Sequence, residues 1–127
     1  MSIKRHMVSG MREPASHFCH VVNAGDTVWL SGMTGVAGDK TIPESTVEQF
    51  RLAMAALDKA LTTAGGHSTQ IVKVQVFMTD ITERELINPL RVEYFGEHKP
   101  ASTLVEVTGL VDPRMKVEIE AIAYLGE

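Results

Sequence analysis

Glu118 and Glu120 are the residues whose placement most readily suggests chemistry. In Lys116 to Leu125, apolar Val117, Ile119, Ala121 and Ala123 alternate with Glu118, Glu120, Ile122 and Tyr124, so both glutamates project from one face of a half-buried strand. Such a carboxylate is either solvated or, where protein walls it from water, raised in pKa and suited to general acid or base work near neutrality. His17, Cys19 and His20 invite a metal or nucleophile reading. Strand alternation would set His17 and Cys19 on one face and His20 on the other, so three ligands do not converge, and no metal is expected.

The elements that must position these groups are marked by turn signals. Phe18 to Ala24 and Thr27 to Ser31 are rich in β-formers and flank Ala24-Gly25-Asp26, a hairpin turn, with a weaker strand around His6 to Ser9. Residues 32 to 45 hold Gly32, Gly35, Gly38 and Pro43 and read as loop. Ser45-Thr46-Val47-Glu48 is a capping box, and Val47, Phe50, Met54, Leu57 and Leu61 give one apolar helical face that Gly65-Gly66 ends. In Ile71 to Met78 the set Val72, Val74, Val76 and Met78 is wholly apolar, as the core face of a strand requires.

Thr82-Glu83-Arg84-Glu85 offers a second capping box for a helix reaching about His98. Asn88-Pro89 interrupts it, so the helix either kinks or restarts with Asn88 as N-cap. Two β-type runs close the chain, Ser102 to Leu110 and Lys116 to Leu125, joined by Val111-Asp112-Pro113-Arg114 as a last hairpin. The order predicts an α+β fold, a mixed sheet of about six strands with two helices packed on one face. The other face, rich in Val and Ile, should meet further copies of the chain.

Composition narrows the function classes. The chain has 127 residues, 44% hydrophobic and 22% charged, which fits one domain over 1–127. A core of this size leaves little room for a private cavity, which favours a pocket shared between subunits. The net charge is −4 and the basic residues are scattered, against a nucleic-acid groove. A single cysteine excludes an intramolecular disulfide. No segment has the roughly 18 apolar residues of a membrane span, nor does an apolar stretch follow the basic start. A cytoplasmic protein without membrane association is expected.

The segment Pro100-Ala-Ser-Thr-Leu-Val-Glu-Val-Thr-Gly-Leu-Val-Asp-Pro-Arg-Met-Lys-Val-Glu-Ile-Glu-Ala-Ile-Ala123 resembles the signature region of the RidA/YjgF family. Trp29-Leu-Ser-Gly32, Val74-Gln-Val-Phe-Met-Thr-Asp80, Asn88 and Tyr94-Phe95 fall in the family's order, so the resemblance covers nearly the whole chain. It implies a chorismate-mutase-like fold and a homotrimer with a barrel-like interior and ligand clefts at the subunit boundaries. It also implies hydrolysis of reactive enamines and imines to a carbonyl product and ammonia. That chemistry needs a substrate anchor, a positioned water and a proton carrier, and no cofactor.

The same resemblance assigns residues. The family's Pro-Ala-Arg-Ser has an arginine that holds a substrate carboxylate in a two-pronged contact, and the matching residue here is Ser102. With Leu104 two positions on, where cysteine is frequent, the cleft should take a different ligand, an uncharged or bulkier one. Glu118 matches the glutamate beside the cleft that holds water or accepts a proton. Asn88 matches a cleft asparagine, in competition with the helix-cap role. Ser31 and Gly32 match the Ser-Gly that ends the second hairpin strand, and Phe18 falls where many members have tyrosine, leaving an aromatic wall or a core residue. Arg91, one turn past Asn88, and less directly Arg114, are candidates for a relocated positive charge. Two rivals stay open: a non-catalytic ligand-binding or chaperone-like trimer, and an endoribonuclease or translation inhibitor, as older family labels have it.

Overall fold

The computed structural model describes residues 2–126. Six strands form one mixed sheet: β1 (Ile3–His6), β2 (Val21–Ala24), β3 (Thr27–Thr34), β4 (Ile71–Met78), β5 (Ala101–Glu106) and β6 (Val117–Tyr124). Two helices, α1 (Thr46–Thr63) and α2 (Arg84–Phe95), complete the fold. The strand order is β1-β2-β3-β6-β4-β5, antiparallel throughout except for the β4–β5 pair.

The mixed six-stranded sheet agrees with the sequence, but its closing topology does not. β6 inserts between β3 and β4 and never pairs with β5, so the expected last hairpin is absent. Residues 107–116 carry the chain across the end of the sheet instead. The weak first strand lies upstream of its expected place, at Ile3–His6, and β2 begins only at Val21, leaving Phe18 and His20 in the preceding loop.

α1 follows its sequence signals closely. The Ser45 hydroxyl accepts from the Glu48 amide at 3.2 Å, a cap contributing about 1 kcal/mol. Gly65, with φ of 89° beyond the Ala64 C-cap, provides the left-handed turn that ends it. Its core face includes Phe50, Met54, Leu57 and Leu61 as expected, together with Gln49, which is fully buried. Nε2 of Gln49 donates to the Pro43 carbonyl at 2.7 Å and the Arg114 carbonyl at 2.9 Å, while its Oε1 accepts from the Lys116 amide at 2.7 Å. This side chain thereby fixes the run into β6. Gly35 has no Cβ because the α1 backbone at Gln49 occupies that space.

α2 departs from its expected start and end. Asp80, not Thr82, caps the entry: its carboxylate accepts from the Thr82 amide at 3.0 Å and sets a short 3-10 turn, Ile81–Glu83, ahead of the helix. Glu83 makes no capping bond to α2 because its Oε1 accepts from the Thr46 hydroxyl at 2.6 Å, tying the two helix starts together. Pro89 lies inside a continuous helix, so Asn88 is not an N-cap. The carbonyl that loses its partner belongs to Glu85, which is exposed to water. The helix stops at Phe95, short of His98, with Gly96 at φ 56°.

Ile87 and Phe95 bury the inner face of α2, and the Tyr94 hydroxyl donates to Asp58 of α1 at 2.7 Å. Beneath the helices lie Val28, Leu30, Met33, Val74, Val76, Met78, Val117, Ile119, Ala121 and Ala123. Val72 does not join them. A register shift between Ile71 and Lys73 leaves it as the extra residue of a bulge, half exposed.

Candidate functional site

The β3–β6 pairing runs regularly to Leu30 opposite Ala121, then resumes at Met33 opposite Ile119 with one extra residue in β3. Leu30 and Met33 therefore both point into the core, and Ser31-Gly32 form a bulge between them. The signal was present in the apolar spacing Val28, Leu30, Met33, which breaks strict alternation at Ser31-Gly32.

Glu118 stands next to this bulge. It pairs with Thr34 of β3 and Phe77 of β4, on the face opposite the fully buried Val117 and Ile119. Its carboxylate lies over the bare backbone of Gly32, where a Cβ would collide with it. Partial burial raises its pKa above the ordinary 4.5, and the like charge of Glu120 two residues on adds to the rise.

A cleft of about 620 Å³ opens here, lined by Glu118, Gly32 and Thr34, by residues 10–16 and Phe18 of the first long loop, and along α1 by Leu52 and Ala56. Phe18 is 46% exposed at its edge and is not a core residue. The loop is held by His20, which is buried. Its Nδ1 accepts from the Val8 amide at 2.9 Å and its Nε2 donates to the Arg12 carbonyl at 2.9 Å, which assigns the neutral ring with the proton on Nε2. His17 and His20 lie outside any strand, so the alternation argument does not apply to them; no metal-ligating group of side chains occurs among the described residues.

The remaining candidates lie elsewhere in the chain. Ser102 pairs with Val74 and Leu104 with Val76 across the parallel β4–β5 ladder, so both face the helix side, whereas Glu118 faces the open side. Ser102 and Glu118 are also two strands apart, roughly 10 Å sideways. Arg91, on α2, donates from Nη2 to the Ser102 hydroxyl at 2.7 Å, and Asn88 is exposed one turn earlier. Arg114 is engaged with Asp112 through Nε at 3.0 Å and Nη2 at 2.9 Å. Ser31 donates its hydroxyl proton to the Cys19 carbonyl at 2.6 Å, so its hydroxyl has only acceptor capacity left for a ligand. Phe18, Gly32 and Glu118 thus line one cleft, whereas Asn88, Arg91, Ser102 and Leu104 lie on α2 and β5, away from it. Sequence reasoning missed Gln49 and weighed His20 only as a metal ligand or nucleophile; these buried polar side chains hold the run into β6 and the cleft loop.

The family model described as Endoribonuclease L-PSP matches residues 10–125. The chain belongs to this family, the RidA/YjgF/YER057c/UK114 family. Rv2704 of Mycobacterium tuberculosis, a structurally characterised member, is 31% identical with a TM-score of 0.84, covering 97% of this chain and 99% of its own. Escherichia coli TdcF, solved with bound serine, is 28% identical with a TM-score of 0.85, covering 94% and 98%. Among curated relatives, the 2-iminobutanoate/2-iminopropanoate deaminase of Capra hircus is 30% identical over 98% of this chain and 93% of its own length. The protein mmf1, mitochondrial, of Schizosaccharomyces pombe is 31% identical over 97% and 77%. The RidA/YjgF fold of these relatives is the α+β fold described above. No helix among the described residues is long and apolar enough to cross a membrane.

Proposed function

We propose that this chain is a small-metabolite enamine/imine deaminase, working as a homotrimer whose clefts join the Phe18–Gly32–Glu118 half of one copy to the Asn88–Arg91–Ser102–Leu104 half of the next. The observation that carries the reading is the Glu118 carboxylate, raised in pKa by burial at the cleft floor beside Gly32. The deaminase relative supports the reaction class, and the serine-bound relative supports a small polar ligand.

An imine carbon is electrophilic already. Glu118 takes a proton from water as it attacks that carbon, and the C–O bond forms as the C=N electrons move to nitrogen. The carbinolamine then expels ammonia after protonation at nitrogen, and the hydroxyl proton is lost as C=O forms. One carboxyl cycling between its two protonation states serves both steps, and a raised pKa brings it nearer the operating pH. Phe18 and Leu104 supply apolar walls, and Asn88 an amide toward the ligand.

The open sheet face supports the trimer: Trp29, Phe77, Val105 and Ile122 share it, and Trp29 is 50% exposed. We place the protein in the cytosol, as a single domain with no nucleic-acid or membrane partner, although one relative is named as mitochondrial. The test is release of ammonia from imines generated in situ by an amino-acid oxidase. Acceleration by the wild-type chain and its loss in Glu118→Gln are expected; no acceleration with any imine or enamine would remove the proposal.

A non-catalytic ligand-binding trimer is the second reading, favoured by the engagement of the Ser31 proton with the backbone. It wins if Glu118→Ala leaves every detectable activity unchanged while ligand binding persists. The endoribonuclease reading rests on the family's description; RNA degradation that survives rigorous repurification is what it requires.

A further inference from the structure

The cleft beside Glu118 is larger than a small imine needs. At roughly 30 Å³ per heavy atom, the share a water takes in the liquid, a molecule of about seven heavy atoms fills about 200 Å³. The cleft holds about 620 Å³, within the range of roughly 300–1,000 Å³ that encloses drug-sized ligands. How β3 ends decides where the excess lies. β2 begins at Val21, opposite Leu30, so no strand among the described residues pairs with Gly32 to Thr34 along that margin. The cleft passes around this free margin, from Glu118 on the open face of the sheet to α1 on the other.

One stripe of α1 lines this second arm. Leu52, Ala56 and Lys59 stand at i, i+4 and i+7, beside the core face that carries Phe50 and Leu57. A surface helix places charged and polar side chains on such a stripe, yet Leu52 and Ala56 are apolar and half-buried. Met11 and Pro14 of the first long loop, also half-buried, supply the other wall, and the contacts of His20 hold that loop in place before any ligand arrives. Lys59 bounds the arm. Its ammonium occupies the space that a Cβ at Gly10 would need, where the loop turns with φ of 83°. The arm is therefore apolar along its length and charged only at its far end, and an apolar group entering it would leave water for an apolar surface.

We propose that this arm receives the side chain of the substrate, with Ala56 setting its depth, so that the chain acts on imines bearing a bulky apolar group, of the size of isobutyl or benzyl, in preference to a methyl group. That such molecules are substrates rests on the deaminase reading above. The arm itself rests on its walls and on its continuity with Glu118.

The test is ammonia release by the full-length protein from the imines that an amino-acid oxidase makes from alanine, leucine and phenylalanine, at matched rates of supply. The reacting group is the same in all three, so differences report the side chain alone. kcat/KM should be at least tenfold higher for the leucine and phenylalanine imines than for the alanine imine, each buried methylene contributing about fourfold. Ala56→Leu should fill the arm and lower kcat/KM for the two large substrates at least tenfold more than for the small one. Leu52→Gln should reduce the same preference severalfold; Leu52 lies outside the core cluster, so this variant carries the test if Ala56→Leu fails to fold. Equal use of the three imines, a preference for the alanine imine, or a preference that survives both substitutions overturns the proposal. If no imine is hydrolysed, the deaminase reading falls and calorimetry decides the arm. Binding of 3-phenyl-2-oxopropanoate at least tenfold tighter than 2-oxopropanoate, with the difference lost in Ala56→Leu, upholds it; equal binding, or binding of neither, overturns it.

Discussion

The Glu118 carboxylate occupies the space that any side chain at Gly32 would need. The β3 bulge creates this arrangement, and it makes position 32 a direct control on the carboxylate. Gly32→Ala should displace the Glu118 side chain without disturbing the core, because Glu118 projects from the open face. Deaminase activity is expected to fall about a hundredfold, the order lost when a reacting group is misplaced by about 1 Å. Steady-state kinetics beside a thermal melt check this, and a fall in kcat with little change in melting temperature is the expected pattern.

Glu118→Gln should separate activity from stability. The folded chain holds the Glu118 proton to higher pH than the unfolded chain does, so more protons are bound in the folded state between 4.5 and the raised value. Stability therefore declines as pH rises through that window, and the loss persists above it. The glutamine variant should lack this decline and be the more stable protein at neutral pH, while its activity falls about 10²- to 10⁴-fold. Urea unfolding of both proteins across pH 4 to pH 8 (roughly the span that a raised carboxyl covers) tests the sign.

Gln49 holds three backbone groups with one side chain. Gln49→Leu keeps most of the volume and leaves two carbonyls and one amide without partners in a dry site. A loss of about 2–4 kcal/mol is expected in denaturant unfolding. Because Lys116 immediately precedes β6, the same variant should loosen Glu118 and lower activity in the fraction that remains folded.

His20 fastens the cleft loop through both ring nitrogens. His20→Ala should speed amide hydrogen exchange at Val8 and in residues 10–18 while leaving exchange in β4 and β6 unchanged. Equal protection in the two proteins would show that the loop is held by something else.

The proposed trimer, in which Glu118 of one copy meets Arg91 of the next, predicts complementation. Glu118→Gln and Arg91→Gln proteins, each impaired alone, should regain activity when unfolded together and refolded, because a mixed ring contains one cleft with both native residues. Mixing without refolding should give none. A coupled ammonia assay before and after refolding distinguishes the two cases.

Much of the fold was legible because local rules govern it. Ser45, the apolar spacing from Phe50 to Leu61 and Gly65 act within a few residues of one another, and α1 begins and ends where they say. The β6 alternation is equally local, and it placed Glu118 on the open face correctly. What failed depends on distant partners. Nothing within residues 101–125 reveals that β6 leaves its neighbour in sequence to pair with β3 and β4, nor that Glu83 is drawn away from its own helix by Thr46. Phe18 looked as suited to a core as to a cleft wall, and its exposure follows from His20 pinning the loop. Arg91 was a candidate from its place on a helix; its contact with Ser102 depends on how α2 lies against β5, which periodicity does not encode.

The seam made by β6 also bears on how the molecule comes into being. Without residues 117–124, β3 and β4 have no common neighbour, and the sheet is two disconnected ribbons with their backbone edges open. During synthesis those ribbons must wait, with aggregation-prone edges exposed, until the last of the described strands arrives and joins them. The same strand brings Glu118. The sheet and the cleft carboxylate are therefore completed together, and a nascent chain stalled before β6 would be a substrate for chaperones and proteases.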